Sequence, residues 1–180
     1  MTTESNPIES VYRFCPRCGA ESRDVGSVPF RCHSCQFSLF FGPVAAVGGL
    51  VVDAEQRLLL VRRSRDPGKG LWGLPGGFVD RDENVEEALA REVIEETQLV
   101  VTSSKLLMTG PNQYNYQGVV SPVIDLFYLC EVADSTVINL AADELDQFVW
   151  VQPGPEYLES MAFESNRRAV EFWLASLKRR

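Results

Sequence analysis

The stretch GFVDRDENVEEALAREVIEETQL, residues 77–99, decides how this chain folds and what chemistry it can carry. Val85, Ala88, Leu89 and Val93 recur at three and four residues, the period of a helix that buries one face, and the pattern predicts a helix over 84–99. Asn84 followed by Glu87 three residues later has the form of a capping box. On the same helix Glu92, Glu95 and Glu96 stand at i, i+3 and i+4, so three carboxylates project from one face within one turn and repel one another. Such acids are ordinarily solvated surface. Here a Gly-Gly turn and a further acid, Glu83, precede them, which adds a backbone carbonyl and more charge, a donor set suited to hard divalent cations such as magnesium. Ala88 lies one turn before Glu92 on that face and leaves room for an ion or a substrate.

Upstream, Gly42–Val52 and Arg57–Arg62 read as a hairpin of two strands around Asp53-Ala54-Glu55-Gln56. The run Leu71-Trp72-Gly73-Leu74-Pro75-Gly76-Gly77 is too rich in glycine for a helix and too apolar for a linker, so backbone must approach something closely there. Downstream, Val119–Val132 and Asp146–Val151 read as strands, and Gly110–Gly118 as a loop with turn formers at both ends. Ala169, Val170, Trp173, Leu174 and Leu177 make one stripe of a last helix. Strands, helix, strands, helix in that order imply an α/β (α+β) fold, a mixed sheet covered by helices.

Ahead of this stands a different kind of sequence. Cys15, Cys18, Cys32 and Cys35 form two Cys-x-x-Cys pairs, and each spacing lets a tight turn aim two thiolates at one point, as tetrahedral zinc requires. Gly19 follows the first pair, while Gln36 occupies the matching place after the second. Disulfides or free thiols are the alternative, and disulfides rarely persist in a reducing cytosol. Four thiolates saturate the ion, so this Zn2+ would hold the fold and leave no place for a reacting water. The expected domains are a zinc ribbon over residues 1–39, with its first residues disordered, and a catalytic domain over 40–180. Cys130 falls in the apolar run 124–132 and reads as a buried strand residue.

An apolar content of 45% with 23% charged residues excludes a disordered or fibrous chain. The net charge of −8 repels phosphate backbones and disfavours general nucleic-acid binding, although Arg13, Arg17, Arg23 and Arg31 make the ribbon locally positive. The longest apolar stretch, Val44–Val52, is about half the roughly 20 residues that span a bilayer, so no membrane partner is expected. The opening MTTESNPIES lacks the basic start and apolar core of an export signal, and a cytoplasmic location is the expectation. His33 is the only histidine, which excludes hydrolytic triads built on one.

Gly77, five residues, Glu83, seven residues, then Arg91-Glu92-Val93-Ile94-Glu95-Glu96-Thr97-Gln98-Leu99 closely resembles the Nudix box, in which Gln98 is ordinarily glycine. The resemblance implies an alpha-beta-alpha sandwich over residues 42–178. It implies that Glu92, Glu95 and Glu96, with the Gly77 carbonyl, bind Mg2+ or Mn2+, and that Glu83 and Arg91 pair to fix the loop against the helix. The implied reaction is hydrolysis of the diphosphate in a nucleoside diphosphate linked to another moiety, releasing a nucleoside monophosphate. Family members carry the general base on the helix or in a later loop; Glu92 and Glu144 are the candidates, with Glu92 slightly preferred. Arg62 and Arg63 end a strand beside the box, and alternation lets one of them grip phosphate. Tyr114 and Tyr116 are candidates for stacking on a base or ribose.

A zinc ribbon directly ahead of a Nudix domain is similar in layout to the NADH pyrophosphatase branch. That branch's Ser-Gln-Pro-Trp-type motif has no counterpart between Val100 and Pro122. Pro111 and Tyr114, twelve and fifteen residues beyond Leu99, leave the substrate open between ADP-ribose-like conjugates, dinucleotides and nucleoside triphosphates. Dimerisation is common in the family, so a homodimer is a further partner to consider. A non-catalytic nucleotide sensor or partner-binding module is the competing function.

Overall fold

The computed structural model describes residues 5–178. Contacts divide the chain into two compact units, Met1–Val44 with Gln113–Val123, and Ala45–Asn112 with Ile124–Arg180. The disorder expected for the first residues concerns residues 1–4, outside those described.

In the first unit β1 (Asn6–Pro7) pairs in parallel with Val119 and Val120, and β2 (Phe30–Arg31) pairs antiparallel with β3 (Ser38–Leu39). Its core is small: Cys15, Phe30 and Cys32 are buried, with Tyr12, Phe37, Leu39 and Phe41 packed around them. So small an apolar core is of the kind that a cross-link or a metal commonly reinforces.

The second unit is built around β5 (Leu58–Arg63), whose first four residues are all buried because both of its faces are covered. Leu59 and Val61 pack with Ala88, Leu89 and Val93 of α1 (Val85–Thr97). Leu58 and Leu60 pack with Ala169, Val170 and Trp173 of α3 (Glu164–Leu177). Alternation along one strand therefore places the two helices on opposite faces, the expected alpha-beta-alpha arrangement. β5 lies between β6 (Trp72–Gly73) and β9 (Leu145–Val151), while β8 (Val119–Val132) pairs with β4 (Val44–Val51) and β7 (Val101–Tyr116). A single turn of helix, α2 (Pro155–Leu158), precedes α3.

Two expectations need correction. β4 and β5 do not form an extended hairpin. They bridge only at Val52 and Leu58, beside the Asp53–Arg57 turn, and then diverge to separate partners, because each strand has two apolar faces to bury and finds longer neighbours in β8 and β9. The segment from Gly110 is not a loop: β7 runs unbroken to Tyr116, and the turn is confined to Gln117-Gly118. Pro111 is tolerated because β7 pairs only with β8, so its missing N–H can face away from the ladder.

Both ends of α1 are closed as the residues demand. The Asn84 side chain accepts from Glu87 N at 2.9 Å and Glu87 Oε2 accepts from Asn84 N at 2.9 Å, a complete capping box that contributes about 1 kcal/mol. Gln98 ends the helix at φ 62°, so the left-handed turn is kept without the glycine.

Candidate active site

Backbone pairing along β4 brings the Gly-Gly turn to α1. Gly49 N donates to Pro75 O at 2.8 Å, Val47 N to Gly77 O at 2.8 Å, and Val79 N to Ala45 O at 3.0 Å. A Cβ on Gly76, at φ 149°, would overlap the Val47 carbonyl, and one on Gly77 would lie 2.5 Å from Glu92 Oε1. Glycine is required at Gly76, where backbone meets backbone, whereas at Gly77 the close neighbour is the flexible end of the Glu92 side chain. Gly77 O already accepts one bond, and its second lone pair is what remains for a cation.

Arg91 organises the acids around it. Its Nη2 lies 2.6 Å from Glu83 Oε1 and its Nε 3.0 Å from Glu83 Oε2, a two-pronged grip that holds the Glu83 carboxyl down at about 2, with the Asp80 N–H helping. Nη1 reaches Glu92 Oε1 at 2.8 Å and Glu95 Oε2 at 3.3 Å, and Nη2 also donates to Phe78 O. The implied Glu83–Arg91 pair is thus present as a geometry, and Arg91 additionally screens two of the three helix carboxylates from each other.

Glu96 is the outlier. It is 6% exposed and accepts from Gly76 N at 2.9 Å. Burial pushes its carboxyl up to about 8 against the pull of that N–H, and the charges of Glu92 and Glu144 push the same way. Glu92 is also raised, chiefly by burial, with Arg91 opposing and Glu95 and Glu144 adding. Three acids from α1 and one from the loop before β9 therefore press on one another in a half-buried place, and the chemistry of that set fits a hard divalent cation. The helix carboxylates do not converge on one point: Glu92 and Glu95 turn to Arg91, and Glu96 to Gly76.

Of the two strand-end arginines, Arg63 is the one near the acids, since its charge lowers Glu96. It also donates to Pro67 O at 2.6 Å and lies 5.4 Å over the Phe163 ring. Arg62 faces the other way and pairs with Asp146 at 2.7 Å. Tyr114 and Tyr116 stand on the end of β7 that belongs to the first unit, and Tyr116 is 64% exposed. Two contributors escaped the sequence reading, Gly76 N as a donor to Glu96 and the 64–65 turn beside Glu144; both depend on contacts distant in sequence.

The cysteines are brought together. All four Sγ atoms lie within 4.8 Å of one another, with Cys15–Cys35 at 3.8 Å and Cys18–Cys32 at 3.7 Å. A tetrahedron of sulfurs about 2.3 Å from zinc has edges of about 3.8 Å, so the cluster has the dimensions the ion needs. Each pair sits in a knuckle closed by backbone, Gly19 N to Cys15 O at 2.9 Å and Gln36 N to Cys32 O at 3.0 Å. Gln36 adopts φ 58°, reproducing the turn made by Gly19 at φ 75°. His33 instead contacts Asp24 at 2.9 Å.

This fold and helix place the chain in a family: the NUDIX domain profile matches residues 42–171, and the protein belongs to the Nudix hydrolase family. It is 42% identical over 72 residues to an ADP-ribose pyrophosphatase of Methanocaldococcus jannaschii, covering 40% of this chain and 42% of that protein. It is 32% identical over 105 residues to the NAD-capped RNA hydrolase NudC of Vibrio cholerae, covering 58% of this chain and 38% of the relative. The match thus spans less than half the length of these two curated relatives. Among solved structures, the NUDIX domain of Shewanella oneidensis NrtR, complexed with ADP-ribose, superposes with a TM-score of 0.62 at 26% identity, covering 77% of this chain and 90% of that one. Among the described residues no helix is long and apolar enough to cross a membrane.

Proposed function

We propose that the protein hydrolyses the diphosphate of ADP-ribose-like substrates, nucleoside diphosphates linked to a second moiety, and releases a nucleoside monophosphate. The observation that carries this reading is the crowding of Glu92, Glu96 and Glu144 beside the Gly76-Gly77 turn, a concentration of like charge that has no structural benefit by itself. The relatives named for ADP-ribose support the substrate class.

Glu92, Glu95, Glu96 and the Gly77 carbonyl would hold magnesium or manganese. That ion, when bound, offsets the diphosphate's charge and eases deprotonation of water. Arg63 supplies a fixed positive charge for a phosphate oxygen. Glu144 accepts the proton of the attacking water as the new P–O bond forms, and the anhydride oxygen leaves with its electron pair on the other phosphate. We favour Glu144 over Glu92 as base because Glu92 is packed against Gly77 and would be a ligand of the cation, whereas Glu144 comes from a separate loop and lies outside that ligand set. Zinc, held by Cys15, Cys18, Cys32 and Cys35, would be structural, and a cytoplasmic location accords with four reduced thiols.

The test is a panel of ADP-ribose, NADH, dinucleoside polyphosphates and nucleoside triphosphates assayed with magnesium. The expected result is release of AMP from ADP-ribose, lowered about 100-fold or more in Glu95→Gln. Tight binding of ADP-ribose without release would instead identify a sensor, and an unchanged rate in Glu95→Gln would reject the ligand set.

A further inference from the structure

We propose that Arg65 is the positioning residue for Glu144, holding its carboxylate at the mouth of the acidic site while backbone contacts hold the loop that bears it. This rests on Glu144 acting as the base.

The segment 139–145 is fastened on two sides. On one, Asn139 N donates to Thr97 O and Ala141 N to Glu96 O, both at 3.1 Å, so the loop satisfies carbonyls that the end of α1 would otherwise leave open. On the other, Ser64 N donates to Glu144 O at 2.8 Å and Ser64 Oγ to Asp143 O at 3.0 Å. Within the loop, Glu144 N donates to Ala141 O at 2.9 Å. The β5–β9 register slips between Arg62 and Arg63, where Arg63 meets Leu145, an irregularity of the sort that re-aims side chains beside active sites.

These bonds fix the Glu144 main chain and leave its side chain three rotatable bonds. That carboxylate pairs with Arg65, whose Nη2 lies 2.5 Å from Oε1. The two side chains are 56% and 33% exposed, and an ion pair so wet contributes little to folding. Its effect is therefore on where the carboxylate sits, and misplacing a reacting group by about 1 Å costs on the order of 100-fold in rate.

With the metal-loaded full chain and ADP-ribose, Arg65→Ala is expected to lower kcat about 10–100-fold, to leave KM within about twofold and to keep the melting temperature. Arg65→Lys should recover most of the rate. In a Glu144→Gln background Arg65→Ala should have no further effect, since the group it positions is gone. Full activity of Glu144→Gln would reject the base reading itself. A crippled Glu144→Gln with an unimpaired Arg65→Ala would reject the positioning role alone, as would additive losses in the double variant. A rise in KM at constant kcat would make Arg65 a substrate contact and overturn the proposal. Independently of turnover, the Glu144 side-chain carboxyl resonance of 13C-glutamate-labelled protein should move in Arg65→Ala while the Ser64 amide stays protected from exchange; an unmoved resonance overturns it. Should the alanine variant melt early, Arg65→Gln gives the same readings with the bulk retained.

Discussion

The protein carries two clusters of acidic or acid-forming side chains, and they are built on opposite plans. The four thiols come from two short knuckles, each closed by its own backbone, and their sulfurs already lie at tetrahedral separations. The carboxylates are drawn from α1, the Gly76-Gly77 turn and the loop before β9, and they turn aside to Arg91 and Gly76 rather than to a common point. A site that only has to hold a fold can be local, complete and closed. The acidic set, by contrast, is assembled from distant pieces and its charges are poorly satisfied, with burial pushing the Glu96 carboxyl up to about 8.

The largest expected effect breaks the thiol side of this contrast. If the four thiolates hold zinc as proposed, a chelator should unfold the first unit, since apparent binding energies on the order of 10 kcal/mol or more are folding energy in such small domains. Loss of the near-ultraviolet signal from Tyr12, Phe30 and Phe41, with the far-ultraviolet signal of α1 and α3 retained, is the expected spectrum. Thiol titration should then count four reactive cysteines and not five, because Cys130 is fully buried and burial pushes its thiol up to about 12. A second unit that melts together with the first would erase the distinction.

A middle-sized effect concerns Arg91. Arg91→Ala leaves Glu83 and Glu92 without their partner and should cost on the order of 1–3 kcal/mol. Because the folded Glu83 carboxyl titrates near 2, below its ordinary 4.5, the stability it contributes is full above pH 4.5 and disappears as the pH falls toward 2. Melting temperature plotted against pH should show that acid limb in the natural protein and a flatter one in Arg91→Ala. The smallest effect is at Gln98. Gln98→Gly removes the strain of a left-handed side chain but adds disorder to the unfolded chain, so thermal unfolding should shift by no more than about 1 kcal/mol. A larger loss would mean that the bond from Gln98 Nε2 to Ile94 O, at 3.0 Å, matters more than the turn.

What could be read from the sequence was what is local in it. The capping pair Asn84 and Glu87, the apolar face through Val93 and the two cysteine spacings each lie within a few residues, and the structure keeps all of them. Strand β8 was legible because its apolar run is long and bounded by a turn. β7 was not, since Gly110-Pro111 is turn-like chemistry that an edge strand can absorb. The choice between Arg62 and Arg63 depended on Asp146 lying across the sheet, and the 64–65 contact with Glu144 spans eighty residues of chain. Periodicity reports which face of an element is apolar; it does not report which partner that face or a neighbouring charge will find.

The docking of residues 139–141 onto the last turn of α1 has a practical side for anyone redesigning this scaffold. A residue inserted or deleted there would fray the helix and shift its acids in one stroke, so altered loop lengths belong instead at Asp134–Val137, ahead of the seam, where Val137 is 62% exposed. The seam makes the alignment of these carboxylates a matter of chain length as much as of side-chain identity.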